Sequence, residues 1–186
     1  GLGDVYKRQM QYTHLYRSPL GTITLAADSE GLTGLWFEGQ KYFAATLDAQ
    51  HEETMLPIFE QTRRWLDNYF GGNDPGPTPP LHLQGSPFRL AVWEILRQIP
   101  FGKTITYGEI AREIARRQGS KTVPAQAVGG AVGHNPVSII VPCHRVVGSN
   151  GSLTGYAGGI ERKVRLLALE KADMTGLFAP QKGTAL

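Results

Sequence analysis

Apolar and polar residues alternate along the early part of the chain in the manner of short β-strands. Residues 12–16 and 21–27 are rich in β-branched and aromatic side chains, and turn-forming residues separate them. Residues 32–37 repeat the pattern after a second turn. Three such segments joined by short turns predict a three-stranded antiparallel meander.

A helical period replaces this alternation further along the chain. Within residues 56–70, apolar side chains recur three and four positions apart, which predicts a helix. Gly71 and Gly72 end it. Residues 71–85 contain so many glycines and prolines that they predict a linker rather than a further helix.

The second half predicts a series of short helices. Ser86 and Pro87 have the features of a helix start, with serine as the N-cap and proline in the first turn. Thr106 and Glu109 have the spacing of a capping box at the start of a second helix. A turn at residues 119–123 and a helix over residues 124–132 follow. Two short helices joined by a tight turn are typical of a helix-turn-helix.

The helix predicted over residues 124–132 has almost no side-chain bulk, because it consists largely of alanine and glycine. Its own helix propensity is therefore poor, but its backbone can approach another surface closely. Such a helix either enters a nucleic-acid groove or packs tightly against a neighbouring helix. The sequence leaves both alternatives open.

An apolar run at residues 137–141 predicts a buried strand that leads into Pro142 and Cys143. Cys143 is the only cysteine, so it can form neither an internal disulfide nor a cysteine zinc site. It is therefore either a buried apolar filler or a reactive thiol.

Two neighbours and one distant carboxylate could activate this thiol. His144 and Arg145 follow it directly, although adjacent side chains on a strand point to opposite faces. A last helix, predicted over residues 160–171, carries Glu170. That residue is either an acidic partner for His144 or a solvated carboxylate at a helix end.

Charge separates the two halves. Residues 10–85 carry 4 Lys and Arg against 9 Asp and Glu, whereas residues 86–171 carry 12 against 5. A basic module attached to an acidic one favours a polyanionic partner for the second half. Two solvated surfaces of unrelated sign would give the same counts.

These patterns predict an α+β protein in two domains. A small antiparallel sheet with one helix is expected over residues 10–80, including the start of the linker. A mainly helical, winged-helix-like domain with the helix-turn-helix is expected over residues 86–171. Residues 1–9 are interpreted as a non-native leader and residues 172–186 as a tail. No membrane span or signal peptide is evident, so we expect a cytoplasmic protein.

The segment Asn-Pro-Val-Ser-Ile-Ile-Val-Pro-Cys-His-Arg-Val-Val-Gly at residues 135–148 resembles the active-site signature of the O6-alkylguanine-DNA alkyltransferases. A Gly-Tyr-Ala-Gly-Gly segment at 155–159 and the last helix follow at the family's spacing. The resemblance covers residues 86–171 well and residues 10–85 only in general pattern. It implies a DNA-repair enzyme that acts once. The enzyme would transfer the alkyl group of O6-alkylguanine, or of O4-alkylthymine, in double-stranded DNA to its own cysteine.

The resemblance assigns a role to each matching catalytic residue. Cys143 would be the nucleophile and permanent alkyl acceptor, and His144 would be the base, acting through a water. Glu170 would orient His144. Tyr107 would bind the guanine and assist protonation of the leaving base, and Asn135 would brace the turn before the active-site segment.

The resemblance also assigns the lesion pocket. The backbone carbonyls of Cys143 and Val146 would accept hydrogen bonds from the guanine amino group, and the Ala157 amide would donate to O6. The walls of the alkyl pocket would be Tyr156, Gly158 and Gly159.

Because the target oxygen lies inside the base stack, the resemblance implies base flipping. The helix over residues 124–132, which has little side-chain bulk, would then lie in the minor groove. The expected DNA contacts are Ala125, Gln126, Gly129, Gly130, Arg112, Arg116, Arg117, Lys121 and Arg145. Gln126 departs from the family pattern, in which many members have an arginine that takes the place of the extruded base. We expect no cofactor and a monomer. We also expect no metal, because the cysteines that bind zinc in some relatives are absent.

Three other functions fit parts of the sequence. A lesion-binding protein that does not repair DNA would resemble this family, but such proteins lack the cysteine. A cysteine–histidine hydrolase would need an oxyanion hole, and adjacent Cys143 and His144 are a poor dyad. A transcription factor would bind a specific sequence in undamaged DNA.

Overall fold

The computed structural model describes residues 10–180 of the 186-residue chain. The leader inferred for residues 1–9 therefore lies outside the described residues, as does the end of the tail from residue 181. The described part is an α+β fold, which confirms the predicted class.

A four-stranded sheet dominates the first half. Its strands lie in the order β3-β2-β1-β4 and are β1 (Gln11–Ser18), β2 (Gly21–Ala27), β3 (Leu32–Phe37) and β4 (His51–Glu53). The first three pair antiparallel, which confirms the meander, and β4 pairs parallel with β1. The sequence pattern missed β4 because all three of its residues are polar and exposed.

Helix α1 (Pro57–Phe70) packs against β1 and β2. Its apolar face is buried, as its period predicts. The linker that follows is held at its end by β3: the Leu32 amide donates to the Pro80 carbonyl at 2.9 Å, and the His82 amide donates to the Leu32 carbonyl at 2.8 Å. The end of the linker is thus a bound extended segment.

The second half contains four helices and two short strands that pair parallel: α2 (Pro87–Arg97), β5 (Ile105–Thr106), α3 (Tyr107–Gln118), α4 (Ala125–Gly133), β6 (Val146–Val147) and α5 (Ile160–Leu169). Both predicted helix starts are confirmed. The Ser86 hydroxyl accepts from the Arg89 amide at 3.2 Å, and Thr106 and Glu109 form a reciprocal capping box. Helices α2, α3 and α4 pack against one another, with α3 and α4 as the helix-turn-helix.

The prediction of a buried strand at residues 137–141 is wrong about the conformation, although it is correct about the burial. Val137 forms a single bridge with Leu35, and residues 138–140 then form a turn. Ile139 adopts φ 70°, a left-handed conformation that no strand pattern predicts for a β-branched residue. The apolar run therefore corresponds to a buried turn.

One continuous hydrophobic core joins the two halves. It contains Phe37 and Tyr69 from the first half and Trp93, Val141 and Cys143 from the second. Strand β3 also bonds directly to the segment that precedes the cysteine, through Leu35. Within residues 10–180, no helix is long and apolar enough to cross a membrane.

Candidate active site

Cys143 begins a single turn of 3-10 helix, Cys143–Arg145, and is 4% exposed. Asn135 braces the segment that leads to it: its Nδ2 donates to the Val141 carbonyl at 2.7 Å, and its Oδ1 accepts from the Val137 amide at 3.0 Å. The turn that Asn135 closes, rather than a strand, thus fixes the position of the thiol.

The surroundings of Cys143 favour the neutral thiol. Burial raises the pKa of the Cys143 thiol, and the Asn135 side chain and the charge of Lys163 oppose this rise only in part. The Lys163 ammonium is itself buried, which lowers its pKa to about 8. A thiol in this state needs a base before it can act as a nucleophile.

His144 is placed to act as that base. Its Nε2 lies 2.6 Å from Oε2 of Glu170, and both side chains are buried. Burial raises the pKa of Glu170, but the hydrogen bonds and charges of His144 and Arg145 outweigh burial and lower that pKa to about 2. Because an ionised carboxylate only accepts, Nε2 must carry the hydrogen and Nδ1 the lone pair.

The free nitrogen of His144 is therefore basic. Among the described residues, its Nδ1 has no hydrogen-bond partner. Burial lowers the pKa of His144, and together with the charges of Arg145 and Lys163 it outweighs the opposing effect of Glu170, so the ring is neutral at pH 7. A neutral imidazole with its tautomer set by a carboxylate can take a proton from a thiol.

The position of Arg145 contradicts the DNA contact expected for this residue. It is 8% exposed, its Nε donates to Oε1 of Glu170 at 2.8 Å, and its NH1 donates to the Ile99 carbonyl at 2.7 Å. A guanidinium held inside the protein by a carboxylate cannot reach a phosphate. The residue type suggested DNA, but the geometry makes Arg145 a part of the Glu170 site.

Tyr107 and the loop before α5 form one wall of the site. The Tyr107 hydroxyl donates to the Thr154 carbonyl at 3.2 Å. A Cβ on Gly155 would lie within 2.4 Å of that hydroxyl oxygen, so a side chain at this position would displace Tyr107. Burial raises the pKa of Tyr107, and so does the charge of Cys143, which places the two side chains in one electrostatic environment.

The other pocket residues lie on the same loop. Tyr156 is buried, and a Cβ on Gly158 would meet its ring at 2.5 Å. Gly159 adopts φ 93° and caps α5. The carbonyls assigned to the guanine already accept from within the chain, Cys143 from the Val146 amide and Val146 from Lys163, and each keeps a second lone pair.

A cavity of about 910 Å³ lies beside this wall and extends to α4. Tyr107, Ala157, Ala125, Gln126, Gly129 and Gly130 all line it. A Cβ on Gly129, Gly130 or Gly133 would meet no atom within 4 Å, so the lean face of α4 is open. Of the two alternatives for this helix, tight packing against a neighbour is excluded for these glycines within the described chain.

The basic residues expected at DNA fall into two groups. Arg112 and Lys121 are exposed. Arg116 and Arg117 are tied to Glu113, with N–O distances of 2.6 and 3.0 Å, which offsets part of their charge. All four belong to α3 or to the turn after it.

Two residues of the site had no predicted role. Tyr69 donates to Oε2 of Glu170 at 2.5 Å, and Lys163 donates to the carbonyls of Val146 and Thr154. Tyr69 fits the apolar period of α1, so its pattern indicates a core residue and nothing more. Lys163 lies on the same helix face as Ile160, Leu166 and Leu167, and that is the only signal of its burial.

One group within residues 10–180 could hold a metal ion: Asp28, Glu30 and His82. His82 contacts Asp28 through Nδ1 at 2.5 Å and Glu30 through Nε2 at 3.0 Å. Both ring nitrogens are thus already engaged by carboxylates. The absence of a metal stays a prediction.

Comparison with known proteins agrees with this geometry. Residues 11–81 match the ribonuclease-like domain of the 6-O-methylguanine DNA methyltransferases, and residues 87–172 match the DNA binding domain of the same family. The methylated-DNA–protein-cysteine methyltransferase of Haemophilus influenzae is 42% identical over 163 residues, 87% of each chain. The corresponding protein of Methanosarcina acetivorans is 42% identical over 161 residues, 86% of this chain and 97% of that one.

A solved structure is similar over nearly the whole chain. Mycobacterium tuberculosis OGT in complex with DNA superposes with a TM-score of 0.73 at 40% identity, over 90% of this chain and 99% of that one. Family models that cover both halves, and relatives above 40% identity, establish the family. The chain belongs to the 6-O-methylguanine DNA methyltransferase family.

Proposed function

We propose that this protein repairs O6-alkylguanine, and O4-alkylthymine, in double-stranded DNA by moving the alkyl group onto its own Cys143. The observation that carries the proposal is the relay behind the thiol. Glu170 is ionised, His144 is neutral with a free Nδ1, and Cys143 precedes His144 in one buried turn. This arrangement supplies a base for the thiol without any cofactor.

The reaction follows from these groups. His144 takes the thiol proton, directly or through a water, and the Cys143 sulfur attacks the alkyl carbon. An S–C bond forms as the C–O6 bond breaks, and the electron pair of that bond stays on the guanine, which Tyr107 helps to protonate. Water does not hydrolyse a thioether, so each molecule acts once.

The open face of α4 supports the way in which DNA would bind. Its glycines let the helix backbone approach a minor groove closely. The lesion would be flipped into the cavity, and Gln126 would fill the space that it leaves. Arg112, Lys121, Arg116 and Arg117 would bind phosphates, the last two less strongly because Glu113 offsets part of their charge, whereas Arg145 would not.

We further propose that the protein acts as a monomer in the cytoplasm. Every side chain of the relay comes from one chain, so the site is complete without a partner copy. A free thiol stays reduced most readily in a reducing compartment, and the cytoplasm is one.

The test is the intact mass of the protein after incubation with a duplex that carries one O6-methylguanine, followed by peptide mapping. We expect a gain of one methylene unit on Cys143, and none in Cys143→Ser. No gain, with retained preference for damaged DNA, would support the lesion-binding alternative. If the protein neither transfers the methyl group nor binds the damaged duplex, the proposal is contradicted.

A further inference from the structure

The carboxylate of Glu170 receives five hydrogen bonds or ion-pair contacts, and one of them comes from the other half of the molecule. Its Oε1 accepts from the Gly102 amide at 2.9 Å and from Arg145. Its Oε2 accepts from His144 at 2.6 Å, from Arg145 at 3.1 Å and from the Tyr69 hydroxyl at 2.5 Å. Tyr69 is the donor from the first half of the chain, 101 positions before Glu170.

Tyr69 is held too firmly for this contact to be incidental. Its side chain is fully buried. The ring stacks on Trp65 at a 3° interplanar angle and meets Phe70, Phe101 and His144 edge-on. The packing thus fixes the hydroxyl in space before any bond to Glu170 is considered.

The hydroxyl is a permanent donor. Burial raises the pKa of Tyr69, and the charge of Glu170 raises it further, so the phenol stays protonated. Its oxygen also lies 3.5 Å from Nε2 of His144. The Tyr69 hydroxyl and the His144 ring therefore share one carboxylate oxygen, and the position of that oxygen sets the direction of the ring.

We propose that Tyr69 is a positioning residue for the transfer reaction. Its hydroxyl anchors Oε2 of Glu170, and Oε2 in turn holds the His144 ring in the orientation and tautomer that leave Nδ1 available as the base. The first half of the chain thus contributes directly to the chemistry of a cysteine in the second half. The inference rests on the proposed transfer function.

Removal of the hydroxyl has two expected effects. Glu170 loses a donor and becomes less firmly placed, so His144 spends less time in the reactive orientation. The carboxylate also becomes a stronger acceptor for His144, which favours the protonated ring. The acidic limb of the pH–rate profile should therefore move to higher pH. The charged and titratable groups that act on His144 are Tyr69, Cys143, Arg145, Tyr156, Lys163 and Glu170.

The experiment compares Tyr69→Phe with Tyr16→Phe in the full chain. Tyr16 is a matched control, because its part-buried hydroxyl also donates to a carboxylate, that of Asp67 on helix α1, at 2.6 Å. Single-turnover transfer from an O6-methylguanine duplex is measured from pH 5 to 9, with the melting temperature of each variant alongside. We expect Tyr69→Phe to transfer about tenfold more slowly, with a shifted acidic limb, and Tyr16→Phe to match the unmodified protein.

A second readout needs no DNA. Alkylation of Cys143 by iodoacetamide, in which the sulfur–carbon bond forms and iodide leaves, reports on the same base across the same pH range. A shifted profile in Tyr69→Phe supports the inference even if no protein transfers a methyl group, an outcome that would count against the proposed function alone. If the two variants behave alike in both assays, whatever their melting temperatures, Tyr69 is only a core residue and the inference is wrong.

Discussion

Replacement of Arg145 by methionine should destabilise the protein by an amount that its contacts allow us to estimate. The change keeps an unbranched side chain of similar bulk near the backbone but removes three donated hydrogen bonds, two to Glu170 and one to the Ile99 carbonyl. Loss of one partner of a buried ion pair costs about 3–5 kcal/mol. Three donors to Glu170 remain, from Tyr69, Gly102 and His144, so we expect the lower end, about 3 kcal/mol.

The assay is urea unfolding at pH 7, with Arg116→Met as the matched control. Arg116 also contacts a glutamate, Glu113, at a distance of 2.6 Å, but its side chain is 71% exposed. An exposed pair contributes little, because solvent screens it. We therefore expect a large loss in Arg145→Met and almost none in Arg116→Met. Equal small losses would refute the view that Arg145 stabilises a buried carboxylate.

Four further predictions follow from the same geometry. The pKa of Glu170 is about 2 when folded, below its ordinary value of 4.5, so it stabilises the fold above pH 5. About 3 kcal/mol of unfolding free energy should disappear as the pH falls from 5 to 2, and urea unfolding of Glu170→Gln should lack this loss. A Cβ at Gly130 would meet no other part of the protein within 4 Å, so the melting temperature of Gly130→Leu should be unchanged or higher while its affinity for duplex DNA, measured by fluorescence anisotropy, falls at least tenfold. An unchanged affinity would argue against α4 as the DNA-binding helix. Gln126→Arg should transfer faster from damaged duplex in a single-turnover assay, because the added charge retains the flipped state, and an equal rate would contradict that role. Arg112→Gln should reduce the slope of log affinity against log salt by about 1, and an unaltered slope would remove Arg112 from the phosphate contacts.

Local signals predicted most of the secondary structure. The N-cap at Ser86 and the capping box at Thr106 and Glu109 involve neighbouring residues, so the sequence alone specifies them. The meander followed from period-two alternation. Strand β4 lacks any apolar residue, and only its pairing with β1 makes it a strand.

The turn at residues 138–140 shows the limit of apolar patterns. Burial requires only apolar side chains, whereas the turn that contains Ile139 is held by polar contacts: the Asn135 side chain bonds to the backbone on both sides of it, and the Val141 amide donates to the Val137 carbonyl. A run of apolar residues therefore predicted the environment correctly and the backbone incorrectly.

The site was predictable only where its residues are close in sequence or match the family signature. Cys143 and His144 are adjacent, and the resemblance supplied Glu170. The contribution of Tyr69 depends on a contact across 101 positions, which no period or motif encodes. Arg145 carries the charge expected of a DNA contact, and only its burial beside Glu170 reveals its actual place.

The central claim is that Cys143 accepts one alkyl group and is then spent. The most direct measurement is the amount of methyl transferred per protein molecule as a duplex with radiolabelled O6-methylguanine is added in increasing excess. We expect a plateau at about one methyl group per chain, all of it on the Cys143 peptide, and no recovery of activity afterwards. Continued turnover beyond that plateau, or label on any other residue, would contradict the account.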